Sequence, residues 1–168
     1  PGQHKGAITA VTQRKAMKFR VPIVAMTHCD SAELAEKFAE ASEDTLCAGQ
    51  WHSELDYEDE LFGTASDFAK SFKAAYGYEA PYQAAQSAAS VQVFADAIAR
   101  AQSLEPAKVR DALAATELQT FFGKVKFDES GRNIAKPMVL CQIRGGKYVI
   151  VAPKDWKRGE AVIPRPAD

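Results

Sequence analysis

Two short apolar runs place the strongest constraint on the fold. Ile23-Val-Ala-Met26 and Leu46-Cys-Ala-Gly49 are each too short for a helix, and one amphipathic stretch lies between them. A continuous apolar run of this length is typical of a strand buried on both faces. Between the runs, Leu34, Ala35, Phe38 and Ala41 fall on one helical stripe, which predicts a helix over 31–41. Asp30 and Glu33 have the spacing of a capping box at its start. Strand, short crossover helix and strand together predict a parallel sheet in an α/β fold.

Other elements follow from the same reading. Residues 7–19 predict a helix ended by Pro22, with Ile8, Val11 and Ala16 among its apolar positions. Its cations Arg14, Lys15 and Lys18 sit in the C-terminal half, where the helix dipole favours them. From 52 to 61, Glu54, Asp56, Glu58, Asp59 and Glu60 crowd together without a hydrophobic period, which predicts an exposed connection between lobes. A helix over 66–76 carries Phe68 and Phe72 and stops at Gly77. A longer one over 82–101 has an inward stripe of Ala84, Ala85, Ala88, Val91, Ala95 and Ile98. Pro106 suits a first helical turn, followed by inward Val109, Ala112 and Leu113. The run 120–133 predicts a short strand and an Asp/Gly turn, and 139–151 a hairpin closed by Gly145-Gly146.

Composition narrows the function. The 168 residues carry a net charge of −1, with no basic face to hold nucleic acid and no acidic tail. The longest apolar runs are too short to cross a bilayer. The chain opens on Pro1 rather than Met, so the lack of a signal peptide says little. Three cysteines, Cys29, Cys47 and Cys141, show no Cys-x-x-Cys spacing and are expected to be buried as small apolar side chains. A Cys29–Cys47 bridge looks excluded. Strands of about five residues put the end of one parallel strand roughly 15 Å from the start of the next.

No nucleophile elbow, Walker loop, Gly-x-Gly-x-x-Gly or His-Glu-x-x-His motif is present, so no catalytic residue and no cofactor is predicted. Parallel α/β sheets bind ligands beyond the carboxyl ends of their strands. That rule selects Thr27, His28, Cys29 and Asp30 after the first strand, and Gln50, Trp51 and His52 after the second. Asp30 is weighed first as a helix cap, and Trp51 either covers the apolar body of a ligand or packs at a domain edge. His28, Cys29 and His52 combine metal-ligating chemistry, but no short ligand motif supports a metal site.

A further set of motifs occurs in a telling order. It comprises Phe62-Gly-Thr-Ala-Ser-Asp-Phe-Ala-Lys-Ser-Phe-Lys-Ala-Ala-Tyr-Gly-Tyr78, Pro81-Tyr82 with the Ala-rich helix, and Val109-Arg-Asp-Ala-Leu113. It continues in Thr120-Phe-Phe-Gly-Lys-Val-Lys-Phe-Asp128 with Gly131, and in Gln142-Ile with Gly146-Lys147. This order resembles the branched-chain amino acid binding protein family of ABC importers, with its type I periplasmic binding fold of two Rossmann-like lobes. The resemblance runs over the whole chain and implies the C-terminal part of a protein about twice as long. It implies residues 1–62 in the second lobe, 63–135 returning to the first, and 136–168 crossing back.

The resemblance further implies a periplasmic or extracytoplasmic, non-catalytic carrier. A small amino acid or related carboxylate, aromatic ones included, would be held between the lobes by hinge closure and passed to a membrane permease. The alternative is a ligand-sensing domain of the same fold in signalling or transcription regulation. In the family, an acidic residue after the strand equivalent to 23–26 meets the ligand ammonium. Here His28 takes its place with Asp30 nearby, a departure that bears on specificity. Tyr82 and Gln83 match the position of the family's ligand-side aromatic, and Leu61, Phe62, Gly63 and Thr64 are the implied hinge. The Ala-rich helices lack a sheet to cover. The resemblance therefore implies a partner, either a missing N-terminal part of the same protein or a second chain.

Overall fold

The computed structural model describes residues 4–29 and 31–165. In chain order its elements are α1 (His4–Ala16), β1 (Ala25–Thr27), α2 (Ala32–Lys37), α3 (Ala39–Ser42), β2 (Leu46–Gly49), β3 (Glu58–Asp59), β4 (Gly63–Thr64) and α4 (Ala65–Tyr76). Then follow α5 (Tyr82–Ala101), α6 (Pro106–Ala114), β5 (Glu117–Thr120), β6 (Gly123–Lys126), β7 (Val139–Arg144), β8 (Lys147–Ala152) and a 3-10 turn at Lys154–Trp156. The chain divides into two compact units, one formed by Pro1–Gln50 with Met138–Asp168 and the other by Trp51–Pro137. The sequence suggested passages at 62/63 and 135/136. The compact units are divided at 50/51 and 137/138.

The first unit is built on a four-stranded sheet of order β1-β2-β7-β8. β1 and β2 are parallel, as the crossover helix requires, while β2/β7 and β7/β8 are antiparallel. The sheet is thus mixed rather than parallel throughout. The β7–β8 hairpin closes at Gly145-Gly146, both at positive φ, as the sequence predicts. Ala7, Val11, Cys29, Leu34, Ala35, Ala41, Cys47 and Ile143 form one buried cluster, with Ile8, Met26, Phe38 and Tyr148 packed against it. Gln142 is fully buried and fully used. Its amide donates to the carbonyls of Asp44 (3.1 Å) and Val162 (3.0 Å) and accepts from the Val162 N–H (2.8 Å), pinning the C-terminal segment.

Several expectations change here. β1 is an edge strand with Ala25 and Thr27 exposed, so the apolar run 23–26 is not buried on both faces. The helix expected over 31–41 is two short helices, broken at Phe38 (φ −116°, ψ 27°). Its N-cap is Ser31, whose hydroxyl accepts from the Leu34 N–H at 3.1 Å, in place of the Asp30–Glu33 box. Asp30 itself lies outside the described residues. α1 ends at Ala16 rather than at 19, followed by a turn through Lys18 at φ 51°.

All three cysteines are buried as expected, but the exclusion of a Cys29–Cys47 bridge is overturned. Cys29 and Cys47 form a disulfide with Cα atoms 5.7 Å apart. The strands are shorter than supposed, and Met26 lies directly opposite Cys47 in the parallel register. His28 then adopts φ 56°, which turns the chain so that Cys29 returns over the sheet. Cys141 is buried in β7 and faces Cys47 across the antiparallel pair.

The second unit has an aromatic core. Phe121, fully buried, stacks on Phe68 with ring centroids 4.2 Å apart, and Phe62 and Trp51 meet the same pair edge-on. The acidic run 52–61 is part of this unit rather than an exposed connection, because Asp59 folds back onto it. Its carboxylate accepts from the N–H groups of Leu61 (2.9 Å), Phe62 (2.7 Å) and Phe121 (2.6 Å). α4 opens with a reciprocal capping box between Thr64 and Asp67 and closes at Gly77 with φ 79°. Those bonds from Thr64 hold the Asp67 carboxyl below its ordinary range. α5 buries Ala85, Ala89, Val93 and Ala97, a four-residue ladder. The predicted stripe differs. Ala85 is shared, but Val91 is 71% exposed and Ala95 is exposed. An Ala-rich helix with apolar side chains on both sides has no unique inward face.

Candidate functional site: the loop after β1

The first unit presents the loop selected by the carboxyl-end rule. β1 stops at Thr27, and α2 begins after the Ser31 cap. Thr27 and His28 are exposed, with His28 Nδ1 3.3 Å from the Thr27 hydroxyl. His28 sits in the left-handed region, which costs a residue with a Cβ on the order of 1–2 kcal/mol and persists only where neighbours enforce it. The enforcement is visible in the residues that follow it. Cys29 is fully buried and tied to Cys47. Beside it, the Tyr148 hydroxyl accepts from the Ser31 N–H at 3.0 Å and lies within hydrogen-bond reach of the Cys29 and Ser31 carbonyls, the latter at 2.9 Å. Cys29 therefore shapes the loop and offers no thiol to a ligand. An exposed imidazole on a fixed loop can accept a hydrogen bond when neutral and attract an anion when protonated.

Other candidate residues belong to the second unit. Trp51 is 5% exposed and donates its indole N–H to the Phe121 carbonyl at 3.1 Å, so its ring serves that unit's core. His52 uses Nδ1 to accept from the Glu54 N–H at 3.2 Å, a local turn contact. Tyr82 and Gln83 open α5, with Tyr82 half-buried and Gln83 exposed. Leu61, Phe62, Gly63 and Thr64 lie inside this unit, between Asp59 and the α4 capping box. Gly63 does adopt φ 72°, with the Asp67 carboxylate 3.0 Å from where a Cβ would stand. Among the described residues, no group of three or more His, Cys, Asp or Glu side chains is placed to hold a metal.

The second unit also carries a cleft of about 800 Å³ between α5, α6 and the β5–β6 region, lined mainly by apolar groups such as Ala89, Val93, Leu113 and Phe122. Lys136 stands 4.3 Å over the Phe122 ring, and burial pulls its ammonium down to about 8. Sequence reasoning missed Tyr148 and Asp59, because each acts on residues more than sixty positions away. The disulfide was missed because its geometry depends on the turn at His28.

Comparison with known proteins places this architecture. The chain is similar to the leucine-binding protein LivK of Thermotoga maritima at 24% identity and a TM-score of 0.77, covering 92% of this chain and 44% of that one. It is similar to LivJ of Streptococcus pneumoniae, solved with isoleucine, at 21% identity and a TM-score of 0.75, covering 91% and 43%. A putative branched-chain amino acid ABC transporter protein from Silicibacter pomeroyi matches at 17% identity and 0.73, covering 96% and 45%. The chain thus spans less than half the length of these relatives, and they establish its fold. Residues 3–147 match the family described as periplasmic binding protein, and the chain belongs to that family.

Proposed function

We propose that this chain is the C-terminal part of an extracytoplasmic solute-binding protein of an ABC importer. Its ligand is a small amino acid or related carboxylate, aromatic ones included, held between two lobes and released unaltered to a membrane permease. The observation that carries this reading is the β1–α2 loop in a chain of this family. It presents the exposed His28 beyond the carboxyl end of a strand, with the chain after it held by the Cys29–Cys47 bridge and by Tyr148. The disulfide supports an oxidising compartment, where such bonds persist. His28 and Thr27 are the proposed contacts from one lobe, with Tyr82 and Gln83 from the other. Closure turns on the two passages at 50/51 and 137/138 rather than on 61–64.

The missing-partner proposal stands beside it. Among the described residues β1 stands at one edge of the sheet without a second strand beside it, and α5 exposes Val91 and Phe94 at 71% and 53%. An upstream part of the same protein would supply the strand and the apolar layer that these surfaces lack.

Calorimetric titration of the complete protein with the twenty amino acids and with aromatic acids tests the site. His28→Ala and Tyr82→Ala should each weaken the best ligand about tenfold, the loss of one well-made polar contact. Affinity unchanged in both variants would rule out this placement.

A further inference from the structure

The way the candidate loop is held goes beyond the assignment of a site. His28 projects from a conformation that a non-glycine residue does not keep unaided. The disulfide ties Cys29 to β2, on the helix side of the sheet. Tyr148 reaches the loop from β8, 117 residues away from Ser31 in sequence, and its ring rests against the core cluster that contains Cys29 and Leu34. Its single hydroxyl meets backbone groups on both sides of position 30, at Cys29 and at Ser31. A tyrosine on a strand has few rotamers, so packing of its ring fixes where that oxygen lies.

We propose that Tyr148 is a positioning residue for ligand binding. Its hydroxyl and the Cys29–Cys47 disulfide are two halves of a clamp that holds His28 in its presented geometry. The inference rests on the reading of 27–31 as a ligand loop. Tyr148 touches no ligand itself. It acts through the Cys29 and Ser31 backbone, and the two halves overlap in effect. Loss of one half loosens the loop in part, and with both released it relaxes fully toward ordinary backbone conformations.

The test uses the complete protein and Tyr148→Phe, which keeps the packed ring and removes only the hydroxyl. Three quantities are read, with the disulfide intact and after its reduction: melting temperature, amide exchange at Cys29 and Ser31, and affinity for the best of the twenty L-amino acids. In the oxidised variant, exchange at Ser31 should accelerate and affinity should fall several-fold, while the melting temperature barely moves. Reduction should weaken the variant by about tenfold more than it weakens the unaltered protein, because coupled contacts are non-additive. A residue of purely structural importance would lower melting and affinity together and would show no such excess.

Equal affinities for the unaltered protein and the variant in both redox states would overturn the proposal, as would unaltered Ser31 exchange. If no amino acid binds the unaltered protein, the ligand reading fails. The clamp is then judged by exchange alone, where the same non-additive acceleration supports it and its absence overturns it.

Discussion

His28 and Lys136 are two residues whose local environments work against stability. His28 holds φ 56°, where glycine is at no disadvantage. His28→Gly should raise the stability of the first unit by about 1 kcal/mol, after the extra chain entropy of glycine is subtracted. The same change should weaken the ligand, because the imidazole is gone. Chemical denaturation and calorimetry on one preparation separate the two effects. Lys136 shows a cost of a different kind. Burial lowers its folded pKa from 10.5 to about 8. Between those values the unfolded chain still holds a proton that the folded chain has released, so stability rises with pH across about 8 to 10.5. Below about 8 both states are protonated, and the full cost of burying the charge remains. Lys136→Met should therefore stabilise the protein at pH 7 and flatten that rise. Urea unfolding at pH 7 and pH 10 measures both.

At the scale of elements, one side chain ties α5 to α6 in the second unit. Arg100 near the end of α5 donates to Asp96 (2.8 Å), to the Ala112 carbonyl (2.8 Å) and to the Thr116 hydroxyl (2.9 Å). It joins α5 to the end of α6 at the point where the chain enters β5. Arg100→Ala should cost about 2 kcal/mol, the range for hydrogen bonds from a charged donor to partly buried partners, with some loss to solvent screening. A lowered denaturation midpoint at constant slope is the expected signature. Most of these elements can be read from sequence, because their signals are local. β2 is found at its observed bounds from its apolar run, and the β7–β8 hairpin from Gly145-Gly146. The inward face of α5 is not legible, since alanines lie on both of its sides and only its neighbours choose between them. At the candidate site, the position of His28 is legible from the strand-end rule. Its conformation is not, because Cys47 and Tyr148 impose it from far away in sequence.

For the whole molecule, the open edge at β1 and the exposed apolar side chains of α5 carry the same implication. The chain spans 44% of the length of the LivK structure it matches, and in the proposed reading the remainder covers these surfaces. Residues 1–168 expressed alone should melt broadly and bind a hydrophobic dye, whereas the complete protein should melt cooperatively. A sharply melting monomer of residues 1–168 would contradict this. The central claim is that the complete protein holds a small solute and leaves it chemically unchanged. Its most direct test is calorimetric titration with candidate amino acids and aromatic acids, followed by mass spectrometry of the recovered ligand. The account predicts saturable binding of one ligand per protein, recovered intact. A chemically altered product, or no binding by any of these compounds, would contradict it.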